Sequence, residues 1–224
     1  REIDMTENKV CCGTISWTFQ KRGLDESPEW CRQVLTEVAE AGYAGVEMGT
    51  RVEAVGGVDA VRRVLEETGL GLVRINSGAE VREKLRMIKE CGASVNMSGA
   101  GRRGEPGIEG IPDAAFQQPA AELEEEARIS IDEFGIPTGL HNHLWTLAEN
   151  RHEVDRILEA APHLQLVLDT AHLQAGGGDP IKAIQDYGDR ICHVHLKDAH
   201  SSIFGENPLT PGFMPLGEGN LKID

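Results

Sequence analysis

The sequence predicts an α/β fold, a parallel (β/α)8-type TIM barrel lacking its eighth β/α unit, over 224 residues. Three observations predict it. Short apolar runs alternate with longer amphipathic ones, the pattern of parallel strands covered by helices. The first turn, Ser16-Trp17-Thr18-Phe19, lacks the glycines that an open nucleotide-binding sheet carries there. Polar or ionisable residues follow nearly every strand (Trp17, Glu47, Asn76, His141, His143, Asp169, His195), and groups supplied by many strand ends belong to a barrel mouth.

Val10–Ser16 reads as the first strand. Ser27 suits an N-cap and Pro28 the first helical position, so a helix runs over Pro28–Ala41 and Gly42 closes it. Ala44–Met48 is the second strand, Val58–Thr68 a helix ended by Gly69, and Leu70–Asn76 the third strand. A helix over Glu80–Cys91 stops at Gly92, before a fourth strand at Ala93–Ser98. Gly99–Pro112, rich in glycine and proline without periodicity, reads as a surface loop. Ala114–Phe134 is a long acidic helix, Ile136–His141 strand five and Arg151–Ala160 a helix. Leu164–Asp169, strand six, is apolar on both faces, as a parallel strand covered on both sides must be. Pro180–Tyr187 is a helix and Ile191–Leu196 strand seven. The sequence stops at Asp224, short of an eighth strand and helix, where barrels usually run to ~250 residues. The expectation is one barrel domain over 1–224, incomplete at its C-terminus, with 1–9 as an N-terminal extension. Truncation, or a neighbour across the open edge, would account for the missing unit, and an open edge favours self-association.

Against 22 basic residues stand 37 acidic ones, for a net charge of -15. Such a surface repels phosphate backbones and anionic lipid, so nucleic acid and membranes are not expected partners. The five cysteines are odd in number and none has Cys-x-x-Cys spacing. That argues against a disulfide framework or a thiolate zinc site, and for a reducing, cytoplasmic compartment. No apolar run approaches the ~20 residues of a membrane span, and the N-terminus lacks the order of a signal peptide.

The strongest candidates for chemistry are Asp169 and His195, at the ends of buried strands where side chains are dry and rigidly placed. They are oxygen and nitrogen ligands suited to a divalent metal. His193 shares the parity of His195 and lies deeper. His141 and His143 are two apart, so both point to one side of strand five while Asn142 points away. That pair can bind metal, take a proton or bond substrate hydroxyls. Glu149 follows within reach of it as a ligand, a base or a helix cap. Lys197 can stabilise an enolate oxygen, act as a base, or form a plain ion pair. Glu47, His172 and Glu218 are candidate substrate contacts, with a paired cation the alternative for Glu47. Trp17 and Phe19 suit either stacking on a sugar ring or core filling, and Gly176–Pro180 is a weak phosphate candidate.

Together, Ala41–Gly49, Leu168–Leu173, Gly177–Pro180 and His193–Asp198 resemble the sugar phosphate isomerase/epimerase superfamily. These are xylose isomerase-like TIM barrels that include hydroxypyruvate isomerases, ketose 3-epimerases and apurinic-site endonucleases. Within it the chain is most similar to the inosose dehydratases. The shared features are an early Trp turn at Trp17, the His141–His143 motif followed by Thr146 and Glu149, and the strand-six motif Asp169–His172. The resemblance implies a metal held by a strand-five carboxylate, the strand-six Asp, the strand-seven His and a strand-eight Glu. Asp169 and His195 match directly. Isomerases and epimerases carry Glu at the strand-five position, where this chain has His141, so either His141 replaces it or Glu149 swings in. The strand-eight Glu has no counterpart before Asp224.

Manganese is the first expectation for the ion, with cobalt, magnesium and zinc as alternatives. The implied reaction removes a proton next to a carbonyl of a ketose, keto-sugar or inosose. His143 or Glu149 would be the base, with Lys197 and Glu47 positioning substrate oxygens. Proton return gives isomerisation or epimerisation, and loss of a β-hydroxyl gives dehydration. The expected partner is thus a small sugar or cyclitol. The competing reading is a metal-free sugar-binding or scaffolding barrel without catalysis. The endonuclease branch is disfavoured, since it needs a trinuclear zinc site and a basic face.

Overall fold

The alternation read from the sequence is built as two sets of parallel strands. A computed structural model describes residues 10–15, 17, 27–103, 111–200 and 212–219. The N-terminal extension 1–9 and Phe19 lie outside the described residues. Two compact units result, Arg1–Asn96 with Asp132–Ile136, and Met97–Ile131 with Pro137–Asp224.

In the first unit, strands β1 (Cys11–Gly13), β2 (Gly45–Arg51) and β3 (Gly71–Asn76) form a parallel sheet in that order. Helices α1 (Pro28–Glu40), α2 (Val52–Val55), α3 (Val58–Thr68) and α4 (Val81–Glu90) accompany it. Helix α1 starts as its sequence dictates: Ser27 accepts a hydrogen bond from the Trp30 amide, and Pro28, with no N–H to waste, opens the first turn. Its Cys31, Val34, Leu35 and Val38 are buried at helical spacing. Gly45 is required by closeness, because a Cβ there would lie 2.8 Å from the Gly71 carbonyl oxygen of the paired strand.

The second unit carries the sheet β4 (Asn96–Ser98), β5 (Thr138–His141), β6 (Gln165–Asp169) and β7 (Ile191–His195) in that order, with β5, β6 and β7 parallel. Leu166, Val167 and Leu168 are fully buried, so β6 is covered on both faces. Around it stand α5 (Ala114–Ile129), α6 (Arg151–Ala160), α7 (Thr170–Ala175) and α8 (Pro180–Tyr187). Leu123 of α5, Ile157 of α6 and Ala183 of α8 share one apolar core with Leu140, Leu166 and Leu168 of the strands. Asn150 and Glu153 form a capping box at the start of α6, and Asp179 with Pro180 opens α8.

Three features depart from the sequence reading. The helix expected over Ala114–Phe134 is α-helical only to Ile129 and continues as a π-turn over Ser130–Phe134. Helix α7, to which the sequence reading gave no element, begins directly at the end of β6 because Asp169 caps it. A two-stranded antiparallel piece, β8 (Asp198–Ala199) with β9 (Phe213–Met214), follows β7. No helix among the described residues is long and apolar enough to cross a membrane.

Candidate active site

Parallel register assembles the site. His141, the last residue of β5, pairs with Val167 of β6, and Asp169 pairs with His195 of β7. Val167 and Asp169 are two apart, so His141, Asp169 and His195 present their side chains on one side of the sheet. Their polar atoms meet. His141 Nε2 lies 3.1 Å from His195 Nδ1, and Asp169 Oδ2 lies 3.4 Å from the first and 3.5 Å from the second. Asp169 is fully buried and divides its carboxylate. Oδ1 accepts the His172 amide at 3.0 Å and caps α7, which leaves Oδ2 to face the two imidazoles.

This triangle fits a metal ion. Ligand atoms ~2.1 Å from a tetrahedral zinc stand about 3.4 Å from one another, and the measured edges are 3.1, 3.4 and 3.5 Å. The protonation states fit as well. Burial opposes the charge on Asp169, but hydrogen bonds from His141 and His195 and the nearby Lys197 ammonium outweigh it and hold the acid well below the usual range. Burial pushes His141 down to about 4 and His172 down to about 2, and it lowers His143 also. Neutral imidazoles beside an ionised carboxylate are the forms that bind a cation.

These shifts predict acid lability. The unfolded chain protonates His141 near the ordinary value of 6.5, whereas the folded one resists until about 4. Protons are therefore taken up on unfolding, and stability present above pH 6.5 is lost as the pH falls toward 4. His141 alone accounts for on the order of 3 kcal/mol across that window. Urea midpoints of chelator-treated protein should hold from pH 7.5 to about 6.5 and then drop as the pH falls toward 4. A flat or rising midpoint below pH 6.5 would contradict the burial of these rings.

Around the triangle, His143 places Nδ1 2.8 Å from the Leu144 carbonyl oxygen and stacks on His172, with ring centroids 3.6 Å apart. Lys197 Nζ is 2.6 Å from Asp169 Oδ2. Thr170 Oγ1 lies 3.0 Å from the Lys197 carbonyl oxygen and 3.1 Å from its amide, which fixes the backbone of that lysine. Phe213 of β9, which the sequence reading did not single out, packs edge-on against His172 and lies 4.8 Å from the ammonium of Lys197. Only its place in the small sheet reveals it.

Glu149 is not brought to this cluster. Its Oε1 is 2.5 Å from the Arg103 guanidinium, its Oε2 accepts the Trp145 amide at 2.6 Å, and Arg103 also pairs with Glu153. The surface loop expected over Gly99–Pro112 thus contains a buried cation, and its charge draws Glu149 away from Asp169. Of the two residues expected at the strand-five position, His141 is the one that lies beside Asp169 and His195. Glu218 is exposed on the turn after β9. In the first unit, Glu47 pairs with Arg74 at 2.8 Å, the cation-pairing alternative, and the Trp17 indole N–H donates to Glu37 at 2.7 Å. The Gly176–Pro180 segment presents the Asp179 carboxylate to the start of α8, which disfavours a phosphate there.

Comparison with known proteins agrees with this fold. The family model described as xylose isomerase-like TIM barrel matches residues 35–224. The chain belongs to the xylose isomerase-like TIM barrel family. Among curated relatives, a rhizopine catabolism protein of Rhizobium meliloti is 27% identical, the match covering 87% of this chain and 66% of that protein. An inosose dehydratase of Geobacillus kaustophilus is 29% identical over 76% of this chain and 63% of its own length. The chain therefore spans about two thirds of these relatives. Solved structures share the fold. A probable 3-DHS dehydratase of Bacillus anthracis superposes with a TM-score of 0.72 at 17% identity, covering 95% of this chain and 85% of that one. A protein named IOLI with a bound zinc atom gives 0.71 at 14% identity, covering 97% and 82%.

Proposed function

We propose that the protein is a divalent-metal-dependent enzyme that removes the proton next to the carbonyl of a polyhydroxylated ketone, with dehydration of an inosose as its reaction. The observation that carries the reading is the triangle His141–Asp169–His195 with the His143 imidazole and the Lys197 ammonium beside it. The inosose dehydratases among the relatives support the choice of substrate.

His141, Asp169 and His195 would hold the metal. Zinc replaces manganese as the first ion to test, because two imidazoles and one carboxylate at tetrahedral spacing suit it better than an oxygen-rich octahedral ion. When bound, the metal supplies Lewis-acid polarisation of the substrate carbonyl. His143 gives its Nδ1 hydrogen to the Leu144 carbonyl, which leaves the Nε2 lone pair to take the α-proton. Burial keeps that ring neutral and ready to accept. Lys197 places a donor where the carbonyl oxygen gains charge. Phe213, exposed beside the Lys197 ammonium, offers an apolar ring to the carbocycle. The α C–H bond breaks with its electron pair drawn toward the carbonyl, and the β C–O bond then breaks. The hydroxyl leaves as water with the proton that His143 took from the α-carbon, which restores the neutral base.

The test is to incubate the zinc-loaded protein with an inosose in heavy water and follow the products by NMR and mass spectrometry. Loss of water is the expected result. Deuterium uptake without loss of water would replace dehydration by isomerisation or epimerisation. No exchange and no zinc uptake would overturn the enzyme reading in favour of a binding barrel.

A further inference from the structure

We infer that Asn142 is a positioning residue that sets the Asp169 carboxylate in its ligand geometry. The inference rests on the metal reading of the His141–Asp169–His195 triangle. Asn142 follows the last paired residue of β5 and is fully buried. Its Oδ1 accepts the Asp169 amide at 2.8 Å, and its Nδ2 donates to the Asp169 carbonyl oxygen at 3.0 Å. One side-chain amide thus replaces the peptide that the β5 ladder would have offered next. It grips the two peptide units on either side of the Asp169 Cα. That grip fixes the backbone of Asp169 at φ -96 and ψ 112, from which Oδ1 reaches the α7 amide and Oδ2 faces the imidazoles.

The pairing also joins two ligands through a single rigid step. His141 is the chain neighbour of Asn142, so the backbone that carries one ligand is bonded to the backbone that carries the other. His141 and His143 point to the opposite side of the strand and have no access to these groups. The position needs one donor and one acceptor on a short planar group. Aspartate offers no donor to the Asp169 carbonyl, leucine offers neither, and glutamine is one carbon too long.

Zinc affinity, measured by competition with a chromogenic chelator, tests the inference, together with the visible spectrum of the cobalt-substituted protein. The proteins compared are the wild-type chain, N142D, N142L, and L158A as a control matched in thermal stability. Leu158 is buried in the α6 core and touches no ligand bond described above. The expected result is a loss of about 10–100-fold in zinc affinity in both Asn142 variants, with altered cobalt bands. L158A should keep wild-type affinity and bands at equal loss of melting temperature. Wild-type affinity and spectrum in N142D or N142L would overturn the positioning role while leaving the metal site standing. Absence of zinc binding by the wild type would overturn both. If N142L fails to fold, N142S removes the paired bonds with less bulk and is read the same way.

Discussion

Replacing Arg103 by methionine is expected to cost about 3–5 kcal/mol of folding stability, because it leaves buried carboxylates without their cation. The Arg103 side chain is 2% exposed, and its partners Glu149 and Glu153 are 8% and 4% exposed. Domains are stable by ~5–15 kcal/mol, so the variant stands near the edge of folding. The loss has a local component. Glu149 Oε2 holds the amide of Trp145, whose φ of 62 lies in the left-handed region, and Arg103 donates its own amide to the Trp145 carbonyl. A non-glycine residue held there carries ~1–3 kcal/mol of strain that its surroundings must hold in place. Urea unfolding should show a lower midpoint with an unchanged slope. Lysine should rescue little, since one ammonium does not bridge two carboxylates as a guanidinium fork does. The triple variant R103M/E149Q/E153Q should recover part of the loss by removing the stranded charges. An R103M midpoint equal to wild type would show that the clamp contributes nothing.

D169N is expected to reduce zinc affinity at least about 100-fold, at or beyond the upper end of what changes outside the ligand set produce. Proton exchange on substrate should fall to background. Asparagine keeps an oxygen for the His172 amide, so α7 stays capped and the fold persists. The anionic Oδ2 is what disappears, and with it the partner of Lys197. E149Q is the informative contrast. It should lower stability through Arg103 while leaving zinc affinity within about twofold of wild type, since side chains far from the ligands act independently. Wild-type zinc affinity in D169N would sink the site, and a collapse of affinity in E149Q would return Glu149 to the ligand set.

Much of this was legible in the sequence because it depends on local chemistry. Ser27-Pro28 and Asp179-Pro180 announce helix starts, and Leu166–Leu168 announces a strand covered on both faces. The parity of His141 and His143, and the placement of Asp169 and His195 at strand ends, follow from the two-residue period of a strand. What the sequence hides is partner choice across long separations. Glu149 sits near His143 in the chain, yet an arginine from Gly99–Pro112 claims it, and no local pattern marks Arg103 as buried. Phe213 was hidden for the same reason, since it reaches His172 only through the β8–β9 pairing. Asn142 was read as pointing away, which is true, but its partner on β6 is a backbone that side-chain patterns do not reveal.

The split carboxylate of Asp169 also bears on how such a site changes over generations. One oxygen belongs to the helix and the other to the chemistry. Most exchanges at this codon would disturb the carboxylate and the first turn of α7 together, and asparagine is the exception that keeps the cap while discarding the anionic oxygen. The ring of His141 carries no comparable second duty: its hydrogen-bond contacts are with Asp169 and His195 alone among those described. A substitution at His141 therefore disturbs fewer bonds of the surrounding structure than one at Asp169.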